Sequence, residues 1–260
     1  MWLGGRAGLW MMIAALAALG DPGHTAATLR HLHAKPSCHP ERSEGSCPQS
    51  SNSADKIPRS ARDDTFRSPP RPDPTDWRRL AREIHDETNA VRRDPARYAE
   101  HLEPLLSRFE GTLLERPGRP HLRTEEGAAA VHEAIASLRT RRPMPLLRWS
   151  QGLAAAAADH VRDQGPIGGL EHRGTDNSDP ASRASRYGRW IRGVAENIAY
   201  GENPARGVVI QLLVDDGVPD RGHRDNILHP DWGAAGVACG PHRLYQQICV
   251  MDYAAGYVER

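Results

Sequence analysis

Val194-Ala195-Glu196-Asn197-Ile198-Ala199-Tyr200-Gly201, and then Asp215-Asp216-Gly217-Val218-Pro219-Asp220-Arg221-Gly222-His223-Arg224-Asp225-Asn226-Ile227, are the stretches that decide how this chain reads. The first is a strand-like run with an acid inside it. Such an acid must face solvent or meet a partner. The second packs carboxylates, a turn and a glycine-flanked histidine into one short segment. Gly222 removes a side chain beside His223 and lets another group approach closely. Arg221 and Arg224 flank the ring; guanidiniums turned toward it disfavour imidazolium, and nearby carboxylates favour it. A further histidine lies upstream in Leu170-Glu171-His172-Arg173-Gly174. Taken alone, either histidine reads plainly as a loop hydrogen-bonder. Together with Glu196 and Asp215 they make a polar constellation on separate segments.

Working outward, Trp77, Leu80, Ile84 and Val91 keep helical spacing. Asp94-Pro95 then starts a helix that carries Ala99, Leu102 and Leu106. Thr124-Glu125-Glu126 opens a third helix, with Val131, Ile135 and Leu138 as its buried stripe. Ser150 caps a fourth, with Leu153, Ala157 and Val161 on one face and Gly165 as its stop; His160 reads as a packed histidine. The segment from Gly165 to Trp190 reads as loop. Asn203-Pro204 caps an apolar helix running to about Asp215, and Ala234 to Ala238 and Gln246 to Tyr253 read as strands. Trp149, Trp190 and Trp232 read as core or lid residues. Helices first and strands last make one α+β domain, large enough for a full core.

The 260 residues carry a formal charge of +1, so charge balance points to neither nucleic acid nor an anionic membrane surface. At the N-terminus, Arg6 precedes an apolar run from Leu9 to Leu19 that ends in Ala18-Leu19-Gly20-Asp21. That run is shorter than the roughly 20 residues a bilayer needs, and it reads as a signal peptide over residues 1–20, an uncleaved N-terminal anchor being the alternative. No membrane span follows its cleavage, and the protein is expected outside the cytoplasm, secreted or periplasmic. Residues 21–76 are rich in Pro, Ser, Arg, Asp and His and read as a disordered segment. The folded domain spans 77–260. Export changes the reading of the 4 cysteines. Cys239 and Cys249 flank the turn signal Gly240-Pro241 and read as a disulfide beside a hairpin, two buried thiols being the alternative. The pairing of Cys38 and Cys47 stays open. A phosphate loop, a His-Glu-x-x-His helix, a nucleophile elbow and zinc-ribbon cysteine spacing do not occur in the sequence.

The Ala195–Gly201 and Arg221–Ile227 signatures, with Asn89, Arg92, Leu147-Arg148-Trp149-Ser150 and Asp215–Pro219, resemble the bacterial branch of the CAP superfamily, or SCP domains. Its relatives include cysteine-rich secretory proteins and plant pathogenesis-related proteins. The resemblance implies an α-β-α sandwich with a surface cleft where two histidines and two acids meet and a divalent metal is often bound. Position by position, these are His172, Glu196, Asp215 and His223. Leu212 stands where many relatives carry tryptophan, Asp215 where they carry glutamate, and Ala195 in place of the usual glycine. On this resemblance His172 and His223 are the metal ligands, with zinc favoured and calcium or magnesium as alternatives. Glu196 orients a histidine or holds a water. Two functions follow. One is a metal-dependent binding module for an extracellular lipid, glycan or protein; the other is a peptidase-like hydrolase with Glu196 as general base. A third reading is purely structural, the four groups satisfying one another.

Overall fold

Helix α1 (Pro74–Arg93) opens the domain in a computed structural model that describes residues 16–18, 74–201 and 204–260. Its stripe of Ala81, Ile84 and Val91 is buried, and Arg93 complements the dipole in the last turn, while the buried Arg92 donates to the carbonyl oxygens of Pro145, Ile227 and His229. The helix starts ahead of the expected boundary at Trp77. The expectations for residues 21–73, including Cys38 and Cys47, lie outside the described residues. So does most of the expected leader, of which only Leu16–Ala18 is described, as strand β1.

The expected second helix is broken into α2 (Pro95–Tyr98), a 3-10 turn (Ala99–His101) and α3 (Glu103–Leu106). Pro104 lies at the start of α3; its ring and missing N–H prevent one continuous helix. Asp94 does cap the start, accepting the N–H of Arg97 at 3.0 Å. Strands β2 (Phe109–Glu110), β3 (Leu113–Leu114) and β4 (Leu122–Arg123) then form a small antiparallel sheet that the sequence pattern did not flag.

Helix α4 (Ala128–Thr140) buries Val131, Ile135 and Leu138, as their spacing implies. After β5 (Arg148–Trp149), Ser150 caps α5 (Gln151–Ile167), its hydroxyl accepting the Leu153 N–H at 3.2 Å. Gly165 is not the stop: α5 runs on to Ile167 and ends at Gly168, which has φ +74°. Gly165 serves packing instead, because a Cβ there would meet the carbonyl oxygen of Pro241 at 2.4 Å. The expected loop from Gly165 to Trp190 contains helix α6 (Pro180–Tyr187), started by Asp179, which accepts the Ser182 N–H at 2.7 Å.

The larger sheet adds β6 (Gly188–Tyr200), β7 (Ala234–His242) and β8 (Gln246–Glu259), in the order β1-β6-β8-β7-β5. The β6–β8 and β8–β7 pairs are antiparallel and β5–β7 is parallel. Helix α7 (Ala205–Val214) precedes Asp215, and the short α8 (Gly222–Ile227) carries His223; Asn203, the expected cap of α7, lies outside the described residues. Side chains alternate between the two faces of the sheet. Ala195, Ala199, Val237, Met251 and Tyr253 join one core cluster with α1, α4 and α7. Ile198, Tyr200, Ile248 and Val250 pack with Ala157 and Val161 of α5 in another. Cys239 and Cys249 are directly opposite each other on β7 and β8 and form a disulfide.

Candidate functional site

Glu196 lies on β6 with none of its surface exposed. A bare carboxylate in that position would be prohibitive, so its oxygens are occupied. Oε1 accepts the Nδ1–H of His172 at 2.7 Å, and Oε2 accepts a guanidinium N–H of Arg183 at 2.6 Å. Burial alone would raise the Glu196 pKa; the His172 hydrogen bond and Arg183 outweigh it and hold the carboxyl below its ordinary range. Arg183, itself buried on α6, also donates to the carbonyl oxygens of His172 and Ser178, each at 3.0 Å. It therefore fixes the loop that presents His172. Sequence reasoning missed Arg183, although Asp179-Pro180 is the same helix-start signal that was read at Asp94-Pro95.

The second pair forms at the end of α7. Asp215 adopts the left-handed conformation, φ 53°, which a short polar side chain tolerates better than most. That turn brings its carboxylate back over α8, where it accepts the backbone N–H of His223 at 2.9 Å and the ring Nδ1–H at 2.6 Å. Asp215 and His223 are both buried. The flanking guanidiniums do not crowd the imidazole. Arg221 pairs with both oxygens of Glu126 at 2.7 Å. Arg224 makes a bidentate pair with Glu133 at 2.7 and 2.6 Å. Both arginines thus bind the α7–α8 turn to the α4 side of the molecule. The adjacent Asp216 accepts the backbone N–H groups of Glu125 and Glu126 at the approach to α4, at 2.7 and 2.9 Å.

Both pairs are anchored to neighbouring residues of β6. His172 attaches through Glu196; His223 attaches through Asn197, whose side-chain N–H donates to the His223 carbonyl oxygen at 2.9 Å. Asn226 donates to Asn197 Oδ1 at 2.8 Å and closes that link. Because side chains alternate, the pairs approach β6 from its two faces, the first beside α5 and α6, the second beside α7 and α8. No hydrogen bond joins them directly among the described residues. Between them on the edge of β6 lies β1, with Leu16 opposite Glu196.

In both pairs the ring nitrogen turned away from the carboxylate is Nε2. The Nε2 atoms of His172 and His223 are both buried without a hydrogen-bond partner. A carboxylate on Nδ1 fixes the tautomer and leaves Nε2 as a lone-pair donor, as in the second coordination layer of many metal sites. In that respect the residues present fit a divalent ion. Among the described residues no group of three or more His, Cys, Asp or Glu side chains is arranged to hold one. His160 is buried too: its Nε2 lies 2.8 Å from the Glu171 carbonyl oxygen, and its Nδ1, like the Nε2 atoms of His172 and His223, is buried without a hydrogen-bond partner. Burial lowers its pKa and favours the neutral ring.

Asp252 went unremarked in the sequence, though it is an acid inside an apolar strand as Glu196 is. It is fully buried and faces Glu196 across β6 and β8, and Glu196 is the one side chain that acts on its carboxyl as a hydrogen-bonding neighbour among the described residues. Burial first, and then the charge of Glu196, push its carboxyl well above the ordinary range. The two carboxyls are driven apart: Glu196 is the anion, and Asp252 holds its proton.

Residues 132–253 match the model of the Cysteine-rich secretory protein family, CAP. Two solved structures resemble the chain. An extracellular protein containing an SCP domain from Bacillus anthracis is 23% identical with a TM-score of 0.34, covering 45% of this chain and 36% of that one. An outer surface protein from Borrelia burgdorferi is 19% identical with a TM-score of 0.38, covering 48% of this chain and 90% of that one. The chain thus spans little more than a third of the Bacillus anthracis protein's length. No curated protein matches the sequence. Among the described residues no helix is long and apolar enough to cross a membrane.

Proposed function

We propose, from the premise that the chain belongs to the CAP superfamily over residues 132–253, that it is an exported α-β-α sandwich acting as a divalent-cation-dependent binding module. Its partner is an extracellular lipid, glycan or protein. The observation that carries this reading is the pair of carboxylate-backed imidazoles, each with a buried and unpartnered Nε2. His172 and His223 would hold the ion, zinc by the softness of two nitrogen donors. Glu196 and Asp215 keep both rings in the Nδ1–H tautomer, and Arg183 keeps Glu196 ionised. When bound, the ion supplies a positive centre for an oxygen of the partner.

The reading requires the two Nε2 atoms to meet around the β6 edge. Leu16–Ala18, which belongs to the expected leader, pairs with that edge, and leader cleavage would uncover it. Binding is favoured over hydrolysis because both Glu196 oxygens are engaged in a fully buried setting. A general base needs a free lone pair within reach of water. Calorimetric titration of zinc into the chain from residue 21 onward tests the proposal. Wild type should take up about one equivalent, as a single two-imidazole site implies, and His172→Ala or His223→Ala should each abolish it. Unchanged uptake in both variants would remove the cation from the account.

A further inference from the structure

On the far side of the sheet, β7 is an edge strand for most of its length. Its outer neighbour β5 pairs only with Ala234 and Ala235. The outward register of β7 follows from two hydrogen bonds: Arg148 N–H donates to the Gly233 carbonyl oxygen at 3.0 Å, and Ser150 N–H to that of Ala235 at 2.8 Å. By the alternation of antiparallel pairing, Val237 and Cys239 also turn their N–H and C=O groups outward. The disulfide agrees with this. Cys239 and Cys249 are directly opposite with Cα atoms 4.1 Å apart, the close spacing of a pair whose main-chain groups point away from each other. Pro241, which has no N–H, takes the next outward position, as proline does on sheet edges. The outward main-chain groups of Val237 and Cys239 have no hydrogen-bond partner among the described residues.

This edge forms the floor of a groove of about 650 Å³ between α1 and α5. Ala81 on one wall and Ala154, Ala155 and Ala158 on the other keep it open. The rim carries Trp77, Trp149 and the guanidiniums of Arg78, Arg82 and Arg162, and the described lining contains no acid. Arg162 pairs with Asp159. Arg82 stacks over the Trp149 ring at 3.7 Å, and the Trp149 indole N–H is buried without a partner. Neither Arg78 nor Arg82 has a carboxylate partner among the described residues.

We propose that this groove binds an extended acidic segment of a partner protein, which adds to β7 as a strand. The Val237 and Cys239 main-chain groups would pair with its backbone, and Arg78 and Arg82 with its carboxylates. Strand addition to an open edge draws affinity from main-chain hydrogen bonds and specificity from alternate side chains. The indoles and the guanidinium stacked on one of them supply that specificity here. The groove is separate from the histidine pairs, so the inference does not depend on the cation.

The test uses the full chain and a dye-labelled, end-blocked heptapeptide alternating glutamate and valine, followed by fluorescence anisotropy. Its controls are a lysine–valine counterpart and two glutamate–valine versions N-methylated at alternate amides, one for each register. The acidic peptide should bind and weaken with salt. The lysine version should bind at least about tenfold more weakly, and so should one of the N-methylated versions but not the other, each lost pairing bond being worth about 1 kcal/mol. Arg82→Glu and Arg78→Glu should each weaken binding about tenfold or more while melting like wild type; the His172→Ala/His223→Ala double variant should bind normally. Equal binding of acidic and basic peptides, indifference to N-methylation in both registers, or no binding would overturn the proposal. So would a dimer of the chain, seen by sedimentation, that Arg82→Glu dissociates, because a second copy would then be the occupant.

Discussion

Replacing Arg183 by methionine tests how the site is held together. The guanidinium and the Glu196 carboxylate are 1% and 0% exposed as side chains and lie 2.6 Å apart. Removing one partner of such a buried pair is worth about 3–5 kcal/mol, because it strands the other charge. The carbonyl oxygens of His172 and Ser178 also lose a donor, at about 1 kcal/mol each. Proton uptake by Glu196 returns part of this, about 1.4 kcal/mol for each unit its pKa rises. The net expectation for Arg183→Met is therefore about 3–5 kcal/mol, a large share of a domain stability of about 5–15 kcal/mol. The assay is urea unfolding followed by tryptophan fluorescence, run as a cycle with Glu196→Gln. The double variant should be less destabilised than the sum of the singles by about 2 kcal/mol or more, since neither charge is then left alone. A single-variant loss below about 1 kcal/mol, or additivity within about 0.5 kcal/mol, would refute the reasoning.

Asp252→Asn should stabilise the domain at neutral pH and flatten its pH dependence, as read by melting between pH 5 and pH 8. The sign follows from Asp252's raised pKa: the folded state keeps a proton that the unfolded chain releases above about pH 4, so stability falls as pH rises toward the folded value. Glu196, whose pKa is lowered, acts oppositely: its contribution is present above the unfolded value and is lost on acidification. A variant whose stability kept the wild-type slope above pH 5 would contradict the assignment of the proton to Asp252. Reducing the Cys239–Cys249 bond, whose sequence separation is 10, should lower unfolding free energy by about 3 kcal/mol from loop entropy. Urea titrations with and without reductant measure this, and a loss under about 1 kcal/mol would point to a denatured state already constrained there.

The helices were legible where burial is periodic. Ile84 and Val91 in α1, and Val131, Ile135 and Leu138 in α4, mark buried faces by spacing alone. Local chemistry misled where a tertiary contact outweighed it. Gly165 looks like a helix stop, but it is small because Pro241 needs its space. Helix α6 escaped notice because its polar sequence buries mainly Arg183 and Ala184, one of them charged. The four residues of the histidine pairs followed from motif position. Their partners Arg183 and Asp252 did not, because both act across the sheet or between elements, and no local periodicity records such contacts.

A single ion held through the Nε2 atoms of both His172 and His223 is the core of the proposed site. Long-range nitrogen–proton NMR of the imidazoles, on the chain from residue 21 onward, tests it most directly. In the metal-free protein the neutral form of both rings should show a protonated Nδ1 and a pyridine-like Nε2. On addition of about one equivalent of zinc both Nε2 resonances should shift together, the outcome expected when one ion takes both nitrogens. A protonated Nε2 on either neutral ring, or a shift confined to one histidine, would contradict the account.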